Sequence, residues 1–193
     1  MRQKNKSKSK SFTLVEIMVS ITIFGLVFGM ISTMFASAIK AQRKSLITQD
    51  LLSQTSYSME YVGRHLRMAK EQQGGLPALC LSQDGLSYET TTKGIKFVSY
   101  EDPSCCWEIY LYEDLDGKRL KRKISSCSSK NSDSFLTSAN FSVERFKINL
   151  IEGVGEQPRI TFSLRMKGKG ERPEEQPVIE IQTTISQRNL NVE

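Results

Sequence analysis

Residues 11–39 read SFTLVEIMVSITIFGLVFGMISTMFASAI. From Phe12 to Ile39 the run is apolar with a single charge, Glu16, and no Lys or Arg interrupts it before Lys40. As a helix, its 28 residues extend about 42 Å at ~1.5 Å per residue, more than the ~30 Å of a hydrocarbon core. Five cations stand just before it: Arg2, Lys4, Lys6, Lys8 and Lys10. A basic leader of this kind holds the N-terminus in the cytoplasm and sends the C-terminal domain across the membrane. Glu16 is the anomaly. A carboxylate inside a membrane span costs roughly 2.5–3.5 kcal/mol or more, so something must offset that cost.

Outward from the span, the charge resolves into two parts. The formal charge is +6, and removing the five leader cations leaves 6 − 5 = +1. The remainder is nearly balanced, so no nucleic-acid contact is indicated. The length suits one membrane helix plus a domain of about 150 residues, enough for a real core. No Gly pair or Pro ends the helix before Gly74-Gly75-Leu76-Pro77, which predicts one helix of about 55–60 residues. Its second half, 40–73, is amphipathic. Leu52, Met59, Val62, Leu66 and Ala69 recur at helical spacing, and Arg43, Lys44, Asp50, Glu60, Arg64, Arg67 and Lys70 fall largely off that face.

The rest reads as strands. Gly94–Tyr100 alternates, and Cys106–Tyr112 puts Trp107, Ile109 and Leu111 on one face. Arg119–Ile124 is its hairpin partner across Glu113–Lys118. Further strands are expected at Phe141–Ile151, Arg159–Met166 and Val178–Ser186. Short connections and the lack of a second long helix predict a mostly antiparallel sheet. The fold class is α+β: a long N-terminal helix, transmembrane in its first half, whose amphipathic second half packs on the sheet. The organisation is a leader at 1–11, a membrane helix at 12–39, an amphipathic helix at 40–73 and a β-rich domain at 74–193.

The four cysteines, Cys80, Cys105, Cys106 and Cys127, all lie beyond the span. An even count in a translocated domain favours disulfides. A zinc site is disfavoured by the lack of any C-x-x-C pair and by His65 being the single histidine. If the hairpin turns near Asp116, residue 105 or 106 lies opposite 127. One of the vicinal cysteines is then expected to join Cys127 and the other Cys80, since neighbours in a strand point to opposite faces. His65 reads as a surface or packing residue. Without a second histidine there is no Ser-His-Asp or Cys-His pair. Asn140-Phe-Ser142 has the pattern of a glycosylation sequon, short enough to arise by chance. No Gly-rich phosphate loop occurs, and nothing suggests an enzyme.

Lys10-Ser-Phe-Thr-Leu-Val-Glu16 ahead of an apolar helix resembles the N-terminal signature of type IV pilins and type II secretion pseudopilins. The resemblance implies cleavage between Ser11 and Phe12 by a membrane prepilin peptidase, N-methylation of Phe12, and a role for Glu16 in assembly. Ser11 stands where the family usually has glycine; both are small. The implied product is a structural subunit, a minor pilin or pseudopilin, without cofactor. Its partners would be other pilin or pseudopilin subunits, prepilin peptidase, an inner-membrane assembly platform and membrane lipid. It would be a single-pass inner-membrane protein with its C-terminal domain outside the cytoplasm, and part of a surface or periplasmic filament once assembled. Ile181–Asn189 is similar to the last strand of minor pilin-like proteins, and no proline breaks the helix before Pro77.

The chemistry of Glu16 suits that resemblance. Cleavage exposes an α-amine at Phe12, largely protonated near neutral pH. It lies near Glu16 of its own helix and nearer the Glu16 of a neighbour shifted along a filament axis. Removing one member of such a pair in low dielectric costs roughly 3–5 kcal/mol, so the pair fixes register between subunits. The bland alternative is a glutamate that snorkels to the headgroups. Gly25-Leu-Val-Phe-Gly29 is a small-x-x-x-small pair that lets helices approach, or two ordinary membrane glycines. Asp114-Leu-Asp116-Gly117 resembles the opening of a calcium loop, but Asp-Gly is also common hairpin chemistry and the later ligands are missing. Two other readings stay open. Ala36-Ser-Ala38 is a signal-peptidase pattern behind an unusually long apolar run, and the chain as a whole suits a membrane-anchored binding protein that never assembles.

Overall fold

One helix, α1, runs from Leu14 to Arg67. The computed structural model describes residues 12–73, 80–101, 103–115, 117–125, 132–151 and 157–188. Contacts divide the chain into two units, Met1–Gln42 and Arg43–Glu193. In the first unit no side chain from Phe12 to Gln42 is buried. Phe12 is 73% exposed and Met34 74%. This stretch is long and apolar enough to cross a membrane by length and composition. Its hydroxyls are satisfied within the helix. Ser20 donates to Glu16 O at 2.7 Å, Thr22 to Val19 O at 2.8 Å, Ser32 to Phe28 O at 2.8 Å and Ser37 to Thr33 O at 3.0 Å. Among the described side chains of Phe12–Ile39, the Glu16 carboxylate is the one charged group left to meet an apolar surrounding.

In the second unit α1 buries Leu51, Thr55, Ser58, Met59, Val62, Gly63 and Leu66. Leu52, expected on that face, is 48% exposed, and Leu51 is fully buried in its place. The reason lies one and two turns on. Thr55 and Ser58 share the face of Leu51 and are buried because their hydroxyls donate to Leu51 O (2.6 Å) and Gln54 O (2.9 Å). A count of apolar residues alone skips them and selects the adjacent leucine.

The helix also ends earlier than Gln73. Its last carbonyls find tertiary donors: Tyr88 Oη donates to Leu66 O at 2.5 Å, Arg188 N–H to Arg67 O at 2.9 Å and Gln187 Nε2 to Ala69 O at 3.0 Å. Lys70 then forms an isolated bridge with Val98. Helix ends need such partners, and here they come from the strand residue Tyr88 and from Gln187 and Arg188, just past the last strand residue Ser186, rather than from a glycine cap.

The strands are β1 (Tyr88–Thr90), β2 (Gly94–Val98), β3 (Cys106–Asp114), β4 (Gly117–Ser125), β5 (Ser132–Phe135), β6 (Phe141–Ile151), β7 (Arg159–Gly168) and β8 (Val178–Ser186). They form two antiparallel sheets, β1-β2-β3-β4-β5 and β6-β7-β8, rather than one. The β3–β4 hairpin pairs Asp114 with Gly117, whose φ of 118° suits glycine. Strands β1 and β5 were not expected. They are short, and Ser132-Asp-Ser-Phe135 carries no apolar alternation. One core joins α1 to both sheets through Leu51, Val62, Leu66, Tyr88, Ile95, Phe97, Ile109, Leu120, Phe162, Leu164 and Met166.

Candidate functional site

The N-terminal end of α1 is built by Thr13. Its carbonyl accepts the first helical bond from Ile17 N–H at 3.2 Å, and its Oγ1 accepts from Glu16 N–H at 3.3 Å. Thr13 is therefore the N-cap, and Glu16 is the third helical residue. Thr-Leu-Val-Glu is thus the sequence pattern of a capping box. That second role of the segment was readable in the sequence and was missed there. A carboxylate in the first turn also faces the positive end of the helix dipole. Among the described residues, the Glu16 carboxylate has no hydrogen-bond or ionic partner. Ser11 lies outside the described residues. Phe12 directly precedes the cap and is exposed.

Gly25 and Gly29 lie on the same exposed stretch, one helical turn apart. A Cβ added at either meets nothing within 4 Å. Within the chain these glycines relieve no crowding.

The remaining expected residues are scattered over the second unit. Cys80 and Cys106 are disulfide-bonded across 26 residues and packed with Leu81 and Val98. Cys105 is disulfide-bonded as well; its expected partner, Cys127, lies outside the described residues. Asp114 Oδ1 accepts from Leu115 N–H at 2.7 Å, and its Oδ2 is 3.9 Å from Arg119. Its oxygens thus serve the hairpin turn, and Asp116 lies outside the described residues. Among the described residues no group of three His, Cys, Asp or Glu side chains converges. Asn140 stands in the turn into β6, where its carbonyl accepts from Lys169 N–H at 3.1 Å.

His65 packs between aromatic rings, 4.4 Å from Tyr61 and 4.5 Å from Trp107 between centroids. Arg122 lies over the Trp107 ring at 5.1 Å and donates to Tyr61 Oη. Burial holds His65 below its ordinary value; Glu101 opposes that shift, and Arg122 and Arg64 add to it. The environment favours a neutral, packed imidazole.

Residues 6–32 match the prokaryotic N-terminal methylation motif, the signature of type IV pilins and pseudopilins. The match includes Ser11, Phe12, Glu16, Gly25 and Gly29. No curated protein sequence and no solved structure matches the chain.

Proposed function

We propose that this chain, a protein with a prepilin-type N-terminus, is a structural subunit of a type IV pilus or a type II secretion pseudopilus. Prepilin peptidase cuts between Ser11 and Phe12, and Phe12 is methylated. The first unit of α1 holds the subunit in the inner membrane with its second unit outside the cytoplasm, until an assembly platform transfers it into a filament. There the helix leaves lipid for a bundle of like helices.

One observation carries this reading. Among the described residues the Glu16 carboxylate has no hydrogen-bond or ionic partner, while the Ser and Thr hydroxyls between it and Ile39 bond within the helix and the apolar side chains of Phe12–Ile39 are exposed. The α-amine of a neighbouring subunit supplies the missing partner, and neighbouring helices cover the surface. In place of a lone carboxylate in lipid, the assembled state holds a charge-assisted pair in low dielectric.

The test is Glu16→Ala in cells that carry the assembly machinery. Membrane insertion and processing should persist, with methyl-Phe12 as the mature N-terminus by mass spectrometry. Recruitment into filaments should fall by an order of magnitude or more, as expected when a pair worth about 3–5 kcal/mol loses one member. Wild-type filament yield from Glu16→Ala would sink the assembly role and favour an anchored protein that never assembles.

A further inference from the structure

β8 pairs with β7 alone among the described residues, so its other edge offers unpaired backbone donors and acceptors. Long edge strands are usually blunted by proline, lysine or a bulge. Val178–Ser186 contains neither proline nor lysine, and its register with β7 runs without a break. Six of its nine residues are β-branched, which suits further pairing.

A groove of about 590 Å³ lies between this edge and α1. Ile181, Thr183 and Ile185 line it from one face of the strand and Gln182 from the other, so the edge itself forms a wall. Arg64, Arg67 and Arg188 also line the groove, the last two where Arg188 N–H bonds Arg67 O beyond the C-terminal end of β8. Arg64 is held by Glu60 at 2.9 Å. Arg67 and Arg188 make no ion pair among the described residues.

We propose that the β8 edge takes up an extended, acidic peptide segment of a partner protein by strand addition. The backbone edge supplies register and affinity, and the two uncompensated guanidiniums select carboxylates at one end. Both sheets of the molecule are antiparallel, and a strand added in the same sense runs opposite to β8. Its N-terminal end then lies beside Arg67 and Arg188, which places the acidic residues at the start of the segment.

The test uses the full chain in detergent micelles and three labelled hexapeptides followed by fluorescence anisotropy. Asp-Glu-Val-Thr-Val-Thr is the probe, Lys-Lys-Val-Thr-Val-Thr reverses its charge, and Asp-Glu-Pro-Thr-Pro-Thr removes alternate donors. The probe should bind about tenfold or more tightly than either control. Arg67→Glu combined with Arg188→Glu should reverse the preference between the first two while circular dichroism stays unchanged. Equal binding of all three, or no binding of the probe at about 1 mM, overturns the proposal. So does concentration-dependent self-association that the probe displaces and the double variant abolishes, because the occupant is then a second copy of the chain.

Discussion

His65 gives the second unit a titratable group whose neutral form is favoured by folding. Burial is the largest cause, with Arg122 and Arg64 acting in the same direction and Glu101 against them. In the unfolded chain a histidine titrates near its reference value of 6.5. Between the lowered native value and 6.5, the unfolded state binds more protons than the native one. The stabilisation is therefore complete above 6.5 and is lost as pH falls below it. Trp107, the single tryptophan, packs on His65 and reports unfolding directly. In urea titrations of the full chain in detergent, the wild-type midpoint should fall between pH of about 7.5 and about 5. His65→Gln should fall less, so the gap between them narrows toward acid. Parallel curves would remove the role of His65. At this scale the sequence was informative where a residue broke a pattern. Glu16 stood out as the one charge in an apolar run. Leu51 did not stand out from Leu52, because the choice between them depends on two hydroxyls, of Thr55 and Ser58, that are buried by bonding to their own helix.

The elements were legible where their pattern was long, and less so at their ends. α1, β2, β3, β4, β6, β7 and β8 follow from apolar runs and alternation in the chain. The stop at Arg67 does not, since Gly74-Gly75 is the first local stop signal and the actual one is supplied by Tyr88, Gln187 and Arg188 from elsewhere in the sequence. Separation of the strands into two sheets was likewise illegible, because alternation shows which side of a strand is apolar and not which strand lies beside it. Cysteines carry part of that long-range information. The Cys80–Cys106 bond fixes the segment after α1 to the start of β3, and Val98 packs with it from the end of β2. Closing 26 residues removes loop entropy worth about 3–4 kcal/mol from the unfolded state. Cys80→Ala together with Cys106→Ala should lower unfolding stability by about 2–4 kcal/mol, measured by urea titration against the wild type under oxidising conditions. An unchanged midpoint would mean that the bond constrains nothing the packing does not already hold.

As a whole, the molecule separates burial from exposure along its own sequence. The core lies within Arg43–Glu193, and the apolar side chains of Phe12–Ile39 are left bare. A bare apolar helix needs lipid or other helices to cover it, and the two alternatives make opposite demands on Gly25 and Gly29. In lipid the glycines do nothing: apart from the adjoining helix backbone, a Cβ placed at either meets nothing within 4 Å among the described residues. Replacing both with leucine should then even favour the helix, by up to about 1 kcal/mol per site. In a bundle of like helices they let backbones come close, and two leucines push the partners apart. Gly25→Leu with Gly29→Leu is therefore expected to leave insertion, processing and the circular dichroism of the full chain unchanged while filament recovery drops severalfold or more. Single substitutions should give intermediate losses. If the double variant assembles at the wild-type level, the helix–helix contact runs along another face, and the role proposed for Glu16 must be met without close approach at these two positions.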